Sequence, residues 1–218
     1  DPYFFGSSLV ERIKQTPHQE IGTHTLSHYY CLEPGQKLTQ FEVDLEAAIT
    51  LAKRRKINVK SIVFPRNQYA TAHLDICKRL GLEVYRGTPT QKIYRSTPGK
   101  DKTMLRRAGR LIDAHTGMFG NTSFPMDRRD RTNVPASHFL RPCSGKLGIA
   151  HPLHRKMIER SMTKAAKSGR AYHLWWHPHN FGRDIDANIN ALKQILSHFD
   201  ALRAEFGMRS SHMVGSAE

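Results

Sequence analysis

The sequence predicts an α/β protein built as an incomplete (β/α) barrel. Three observations carry this. Through the first half of the chain, short β-branched or aromatic runs alternate with amphipathic helical segments, the pattern of a parallel sheet with crossover helices. The helical segments place apolar residues three and four positions apart, one stripe each. The segments that carry histidine and arginine motifs each follow directly on a predicted strand, where barrels of this kind keep their chemistry.

Residues 7–15 read as a short amphipathic helix with Leu9, Val10 and Ile13 on its apolar side. A short strand over 20–22 follows. A helix over 39–55 is predicted by the stripe Phe41, Leu45, Ala48 and Ala52. Thr39 is its expected N-cap, with Glu42 three residues later completing a capping box. Lys60–Phe64 reads as a strand ended by Pro65, which cannot donate to a ladder. A helix over 70–80 stops at Gly81, and Leu82–Tyr85 forms the next strand. Residues 86–100 read as loop and 101–114 as a basic helix. Residues 116–150, punctuated by Gly117, Gly120, Pro125, Pro135, Pro142 and Gly145, form a long loop over the site or an excursion with short strands. A helix over 152–168 ends at Gly169, and a strand covers 171–177. The last helix starts near Asp184, with Ile185, Ile189, Leu192, Leu196, Phe199, Leu202 and Phe206 on its stripe. The expected organisation is one domain over 1–207 and a frayed or partly extended tail over 208–218.

The hydrophobic share, 39%, and the charged share, 24%, are those of an ordinary globular chain. No run of 18 apolar residues encodes a transmembrane helix. The formal net charge is +15, from 34 basic and 19 acidic residues, which attracts polyanions. The basic residues are scattered and no nucleic-acid motif accompanies them, so specific nucleic-acid binding is not expected. Solvated faces that steer an anionic or lipid-linked glycan fit better. Cys31, Cys77 and Cys143 are far apart and odd in number, which argues against a disulfide framework and for a reducing compartment. The expected location is cytoplasmic or membrane-peripheral.

Glu20-Ile-Gly-Thr-His-Thr-Leu-Ser-His28 places two imidazoles four residues apart after a glycine. If the segment turns helically after Gly22, His24 and His28 lie on one face and can grip one borderline metal ion. Thr25 and Ser27 are then hydroxyls able to brace the rings. With 13 histidines in the chain, chance alone supplies about 0.8 pairs at this spacing. A second pair, His173 and His177, sits in an aromatic run that reads as a strand, where four residues span about 13 Å and forbid a shared ion.

Three segments occur in order: residues 20–28, Ile62-Val-Phe-Pro-Arg-Asn-Gln-Tyr69, and Leu174-Trp-Trp-His-Pro-His179. Together they resemble the NodB-like polysaccharide deacetylases, a carbohydrate esterase family, over about residues 15 to 205. The middle motif is shifted, with Pro65 before Arg66, and Pro178 stands where an acidic residue often follows the histidine. The family's opening paired-Asp motif has no match here. The chain opens at Asp1-Pro2-Tyr3-Phe4-Phe5, and the first strand, with those aspartates, is expected upstream of residue 1.

The resemblance implies a distorted, incomplete barrel. It also implies a metal-dependent hydrolase that removes an N-acetyl group from an amino sugar in a polysaccharide or lipid-linked glycan. His24 and His28 would hold a divalent metal, with zinc the expected ion. His177 would act as general acid, with His179 as the alternative. Arg66 would orient a catalytic aspartate, and the backbone near Gln68 and Tyr69 would face the oxyanion. Trp175 and Trp176 point to opposite strand faces; Trp176 is taken as the sugar-stacking one, although core packing is the default for either. Cys31 is the weaker choice of ligand. The competing readings are an amino-sugar deformylase and a catalytically silent homologue that binds glycan or a partner.

Overall fold

A helix over Leu38–Arg54 turns Phe41, Leu45 and Ile49 to one side, and all three are buried. They meet Ile62 and Phe64 from the strand region that follows, and Ile76 and Cys77 from the next helix. This apolar cluster organises the first of two compact units in the computed structural model, which describes residues 6–88, 109, 122–126, 132–143 and 150–216. The first unit comprises Asp1–Gly87, Asp130–Val134 and Ser211–Glu218; the second comprises Thr88–Arg129 and Pro135–Ser210. Together the described residues are mixed helix and sheet, in small sheets.

In the first unit the element order is α1 (Ser7–Gln15), α2 (Leu38–Arg54), β1 (Ser61–Ile62), a 3₁₀ turn (Pro65–Asn67), α3 (Thr71–Arg79) and β2 (Val84–Gly87). β1 and β2 run parallel, with Ser61 opposite Val84 and Ile62 opposite Tyr85, as the strand–helix–strand pattern predicts. β4 (Asn133–Pro135) lies beside β2. Thr23 makes a parallel bridge to Ile62, so the chain entering the first histidine motif extends the sheet. α1 buries no side chain; its apolar Leu9 and Ile13 stay exposed. α2 starts at Leu38 rather than at the predicted Thr39 cap. The N–H of Lys37 donates to Gln40 Oε1 at 3.1 Å and to the Tyr29 hydroxyl at 3.0 Å, so Gln40 closes the turn assigned to Glu42. α3 ends as predicted at Gly81, which takes the left-handed conformation that glycine tolerates.

Gly22 is fixed by close approach. A Cβ there would lie 2.5 Å from Ser61 Oγ and 3.1 Å from Ser61 O, and Ser61 is buried. Gly22→Ala should therefore destabilise the protein by about 1–3 kcal/mol through overpacking, read as a lower urea midpoint. An unchanged midpoint would show that this edge of the sheet yields.

Cys31 and Cys77 lie in the same cluster, and burial pushes both thiols up to about 12. Raised values favour the fold below about pH 9, and that contribution is lost as the pH climbs toward about 12. At pH 8 iodoacetamide should alkylate the more accessible Cys143 first and leave Cys31 and Cys77 unmodified until the chain unfolds. Mass spectrometry of the alkylated peptides gives the order.

The second unit contains β3 (Phe124–Pro125), β5 (His138–Phe139), α4 (His151–Lys167), β6 (Arg170–Ala171), β7 (Leu174–Trp175), a 3₁₀ turn (Pro178–Phe181) and α5 (Ile185–Phe206). The strand predicted over 171–177 is two short strands. β6 pairs antiparallel with β3, and β7 pairs parallel with β5. α4 and α5 pack around Ile158, Met162, Ile195 and Leu202. Of the predicted stripe of α5, Leu202 is buried and Leu192, Phe199 and Phe206 pack against the cluster, whereas Ile185, Ile189 and Leu196 are exposed; Asn188, Ala191 and Ile195 complete the buried face. Asn188 is the polar member of that face. Its Oδ1 accepts from the Cys143 N–H at 2.8 Å, and its Nδ2 donates to Asp184 O at 2.9 Å and to Phe181 O at 3.4 Å. A satisfied polar residue thus takes a core position that an apolar stripe cannot reveal. Asn188→Leu should cost about 1–3 kcal/mol, because the Cys143 N–H loses its acceptor, and a urea titration measures the loss.

Arg86 and Gly87, predicted as the start of a loop over 86–100, belong to β2, and Thr88 follows it; the rest of that loop, and the basic helix over 101–114 apart from Gly109, lie outside the described residues. The long stretch over 116–150 supplies β3, β4 and β5, the short-strand alternative. The C-terminal segment folds back within the first unit: Val214 is buried, and its N–H donates to Glu20 Oε2 at 3.1 Å. No helix of the described residues is long and apolar enough to cross a membrane.

Candidate functional site

The chain leaves its bridge at Thr23 and bends sharply, with positive φ at Thr25 and His28. A β-branched threonine in that region is strained, and such strain persists only where neighbours hold it. Asp44 of α2 is one such neighbour. Its two carboxylate oxygens accept the N–H groups of Leu26 and Ser27 at 2.8 and 3.0 Å. Thr25 Oγ1 accepts the N–H of Tyr29 at 2.8 Å. The loop is therefore not the helical turn that the spacing suggested. It nevertheless brings the two imidazoles together: the ring centroids of His24 and His28 are 4.7 Å apart, and both residues are exposed.

The His24 ring is oriented by the sheet beneath it. Nδ1 lies 2.5 Å from the carbonyl oxygen of Val63, directly after β1. A carbonyl accepts only, so Nδ1 carries a proton, and Nε2 is the nitrogen that a neutral ring would offer a metal. A backbone acceptor behind a histidine ligand is what metal sites use to fix ring and tautomer. Two neighbouring imidazoles on a braced loop fit a borderline divalent ion. They form an incomplete set, because no group of three or more His, Cys, Asp or Glu able to hold a metal occurs among the described residues.

Arg66 stands beside this pair on the 3₁₀ turn after β1. Arg66 and Asn67 both have positive φ, and Asn67 Oδ1 accepts from Arg86 Nη2 at 3.1 Å. Burial pushes the Arg86 guanidinium down to about 10. The Arg66 guanidinium sits 4.0 Å over the ring of Tyr30, and Tyr30 meets the His28 ring edge-on at 5.1 Å. Arg66 Nη1 donates to Glu33 Oε1 at 3.0 Å, and Gln68 Nε2 donates to the same oxygen at 2.9 Å. Glu33, Arg66, Tyr30, His28 and His24 thus form one continuous surface cluster. The Gln68 N–H donates to Pro65 O at 3.1 Å and is spent inside the turn. The Tyr69 ring packs on Phe64 and Tyr85, at 4.9 and 5.1 Å.

The third motif belongs to the second unit. His177 follows β7 in an extended conformation and caps the 3₁₀ turn, its carbonyl accepting the Asn180 N–H at 3.0 Å. His177 and His179 are both exposed, their rings stacked at 5.2 Å. Phe139 lies 5.9 Å and Trp175 5.5 Å from the His177 ring. Trp176 turns the other way: it stacks on buried Phe181 at 6.0 Å and packs against the unit's apolar cluster. The strand alternation shows that the two tryptophans oppose each other, but which one joins the core depends on Phe181.

Sequence reasoning missed Asp44, Tyr30, Glu33, Phe139 and Trp175 as neighbours of the motif residues. Tyr30, at two residues from His28, offered a weak signal. Asp44 offered none, because a carboxylate on a helix does not announce a loop 17 or 18 residues away as its partner. No protein-family model, curated protein or solved structure matches this chain.

Proposed function

We propose that the protein is a metal-dependent amide hydrolase that removes the N-acetyl group of an amino sugar in a glycan. The observation that carries this reading is the His24–His28 pair, neighbouring rings at a strand end with the His24 Nδ1–H held on Val63 O. His24 and His28 would hold a divalent ion, zinc by their donor type, with a third ligand from outside the described residues. When bound, that ion supplies Lewis-acid polarisation and a more acidic water.

The chain's own residues divide the remaining tasks. Asp44 keeps the loop bent, so the two ring nitrogens stay together. Arg66, stacked on Tyr30 and paired with Glu33, presents a fixed positive charge beside them, suited to an anionic glycan or to a catalytic carboxylate. Its ion pair is half-exposed and exchanges partners at little cost. Hydrolysis adds water across the amide: a C–O bond forms, the C–N bond breaks, and the departing nitrogen takes a proton. His177 donates that proton, since imidazole titrates closest to neutrality, and His179 is its alternative. Trp175 and Phe139 flank His177 and supply apolar faces for a sugar ring.

The test is acetate release from an N-acetylated chito-oligosaccharide, abolished by chelation and restored by zinc. Formate release from the N-formyl analogue alone would move the assignment to a deformylase. Neither product, from protein shown to hold metal, would remove the hydrolase reading.

A further inference from the structure

A concave site lies in the first unit, at the opposite ends of its parallel strands from His24 and His28. It is a cavity of about 340 Å³. Residues 19–21, which lead into the Thr23 bridge, form one wall, and residues 57–60, which lead into β1, form another. The C-terminal segment closes a third side through His212 and Val214.

The lining combines cationic, apolar and amide groups with one carboxylate, Glu20, which faces His212. Lys14, Lys56 and Lys60 supply cationic heads. Lys14 Nζ donates to Glu11 and to Arg55 O, each at 3.0 Å, and Lys60 Nζ rests on Glu83 at 2.6 Å; both ion pairs are partly exposed, so exchanging the carboxylate for a stronger anion costs little. Ile21, Ile57 and Val214 supply apolar faces, and Gln19 and Asn58 supply amides able to donate and accept. A dianionic phosphate suits the lysines, a ring with C–H faces suits the isoleucines, and hydroxyls suit the amides. The volume sits at the low end of small-molecule sites, which run from roughly 300 to 1,000 Å³. That fits one phosphorylated ring and excludes a dinucleotide.

Glu20 ties the closing wall to the strand region. Glu20 Oε2 accepts the Val214 N–H at 3.1 Å and faces His212 Nδ1 at 3.1 Å. Glu20 Oε1 is buried and has no hydrogen-bond partner among the described residues. A buried carboxylate oxygen left unpaired opposes closure. An anion seated on the lysines, away from the Glu20 carboxylate and within reach of His212, would add a contact to the strap.

We infer that this cavity binds a small phosphomonoester of a polyhydroxylated ring, of hexose-phosphate size, and that the C-terminal strap over residues 211–216 is its closing wall. The site stands apart from the histidine pair and does not depend on the hydrolase reading.

The whole chain is titrated by calorimetry with glucose 6-phosphate, inorganic phosphate and glucose, and the exchange of the Val214 amide is followed by hydrogen–deuterium exchange. Glucose 6-phosphate should bind saturably, about tenfold or more tighter than inorganic phosphate, with no saturable binding of glucose. The K56Q/K60Q variant should weaken both phosphate ligands by about tenfold, a change of about 1.4 kcal/mol. Its thermal midpoint should be unchanged, because both side chains reach solvent. Glucose 6-phosphate should slow exchange at Val214, and the H24A/H28A variant should bind it as the wild type does. Absence of saturable binding, or equal binding by K56Q/K60Q, would overturn the site. Equal affinity for phosphate and glucose 6-phosphate would overturn the ring assignment, and unaltered Val214 exchange would overturn the role of the strap.

Discussion

Replacing His177 by Ala should lower kcat by about 10²–10⁴-fold on an N-acetylated oligosaccharide, the usual worth of a general acid. Metal content and KM should change far less, because the acid acts mainly in the transition state. The matched control is His179→Ala. The two rings are stacked at 5.2 Å and both face solvent, so each is sterically able to reach a substrate. They differ in support: Phe139 and Trp175 pack around His177, two residues beyond β7, whereas His179 sits within the 3₁₀ turn. Acetate release should therefore survive largely intact in His179→Ala. The reverse ranking would transfer the acid role to His179. Full activity in both variants would remove the general-acid mechanism.

Replacing His24 and His28 together by Ala should abolish stoichiometric metal. Elemental analysis of the dialysed wild-type protein should give about one divalent ion per chain, and the double variant should give none. The fold should persist, because both side chains are exposed and the loop is held through backbone contacts to Asp44 and Val63. An unchanged circular dichroism spectrum and thermal midpoint would separate ligand loss from unfolding. Unchanged metal content in the double variant would sink the assignment of these two residues. Two ligands rarely hold an ion alone, so weak wild-type binding that His24→Ala weakens further would still place the ion here and would call for the third ligand.

Much of the local structure was legible in the sequence because local rules dictate it. The helices over Leu38–Arg54, Thr71–Arg79 and His151–Lys167 lie within one residue of their predicted limits at each end. Amphipathic spacing and the glycines at 81 and 169 suffice to set them. The parallel pairing of β1 and β2 follows from one helix lying between two short strands. The histidine spacing, too, correctly marked a pair of rings that meet.

What only the tertiary structure decided involves partners far apart in the chain. His24 and His28 meet through positive φ angles at Thr25 and His28 that Asp44 sustains, not through a helical turn. Arg66 rests on Tyr30 and Glu33, which no spacing rule connects to it. Trp175 rather than Trp176 flanks His177 because Phe181 draws Trp176 into the apolar cluster. The face that α5 buries takes in Asn188, held by three hydrogen bonds, while Ile185, Ile189 and Leu196 of the apolar stripe are left to solvent. The sequence by itself determined where helices begin and end and that two imidazoles meet after the first strand region, because those depend on neighbours within a few positions. Tertiary structure decided orientation, bracing and tautomer, because each depends on a carbonyl, carboxylate or ring brought from another element.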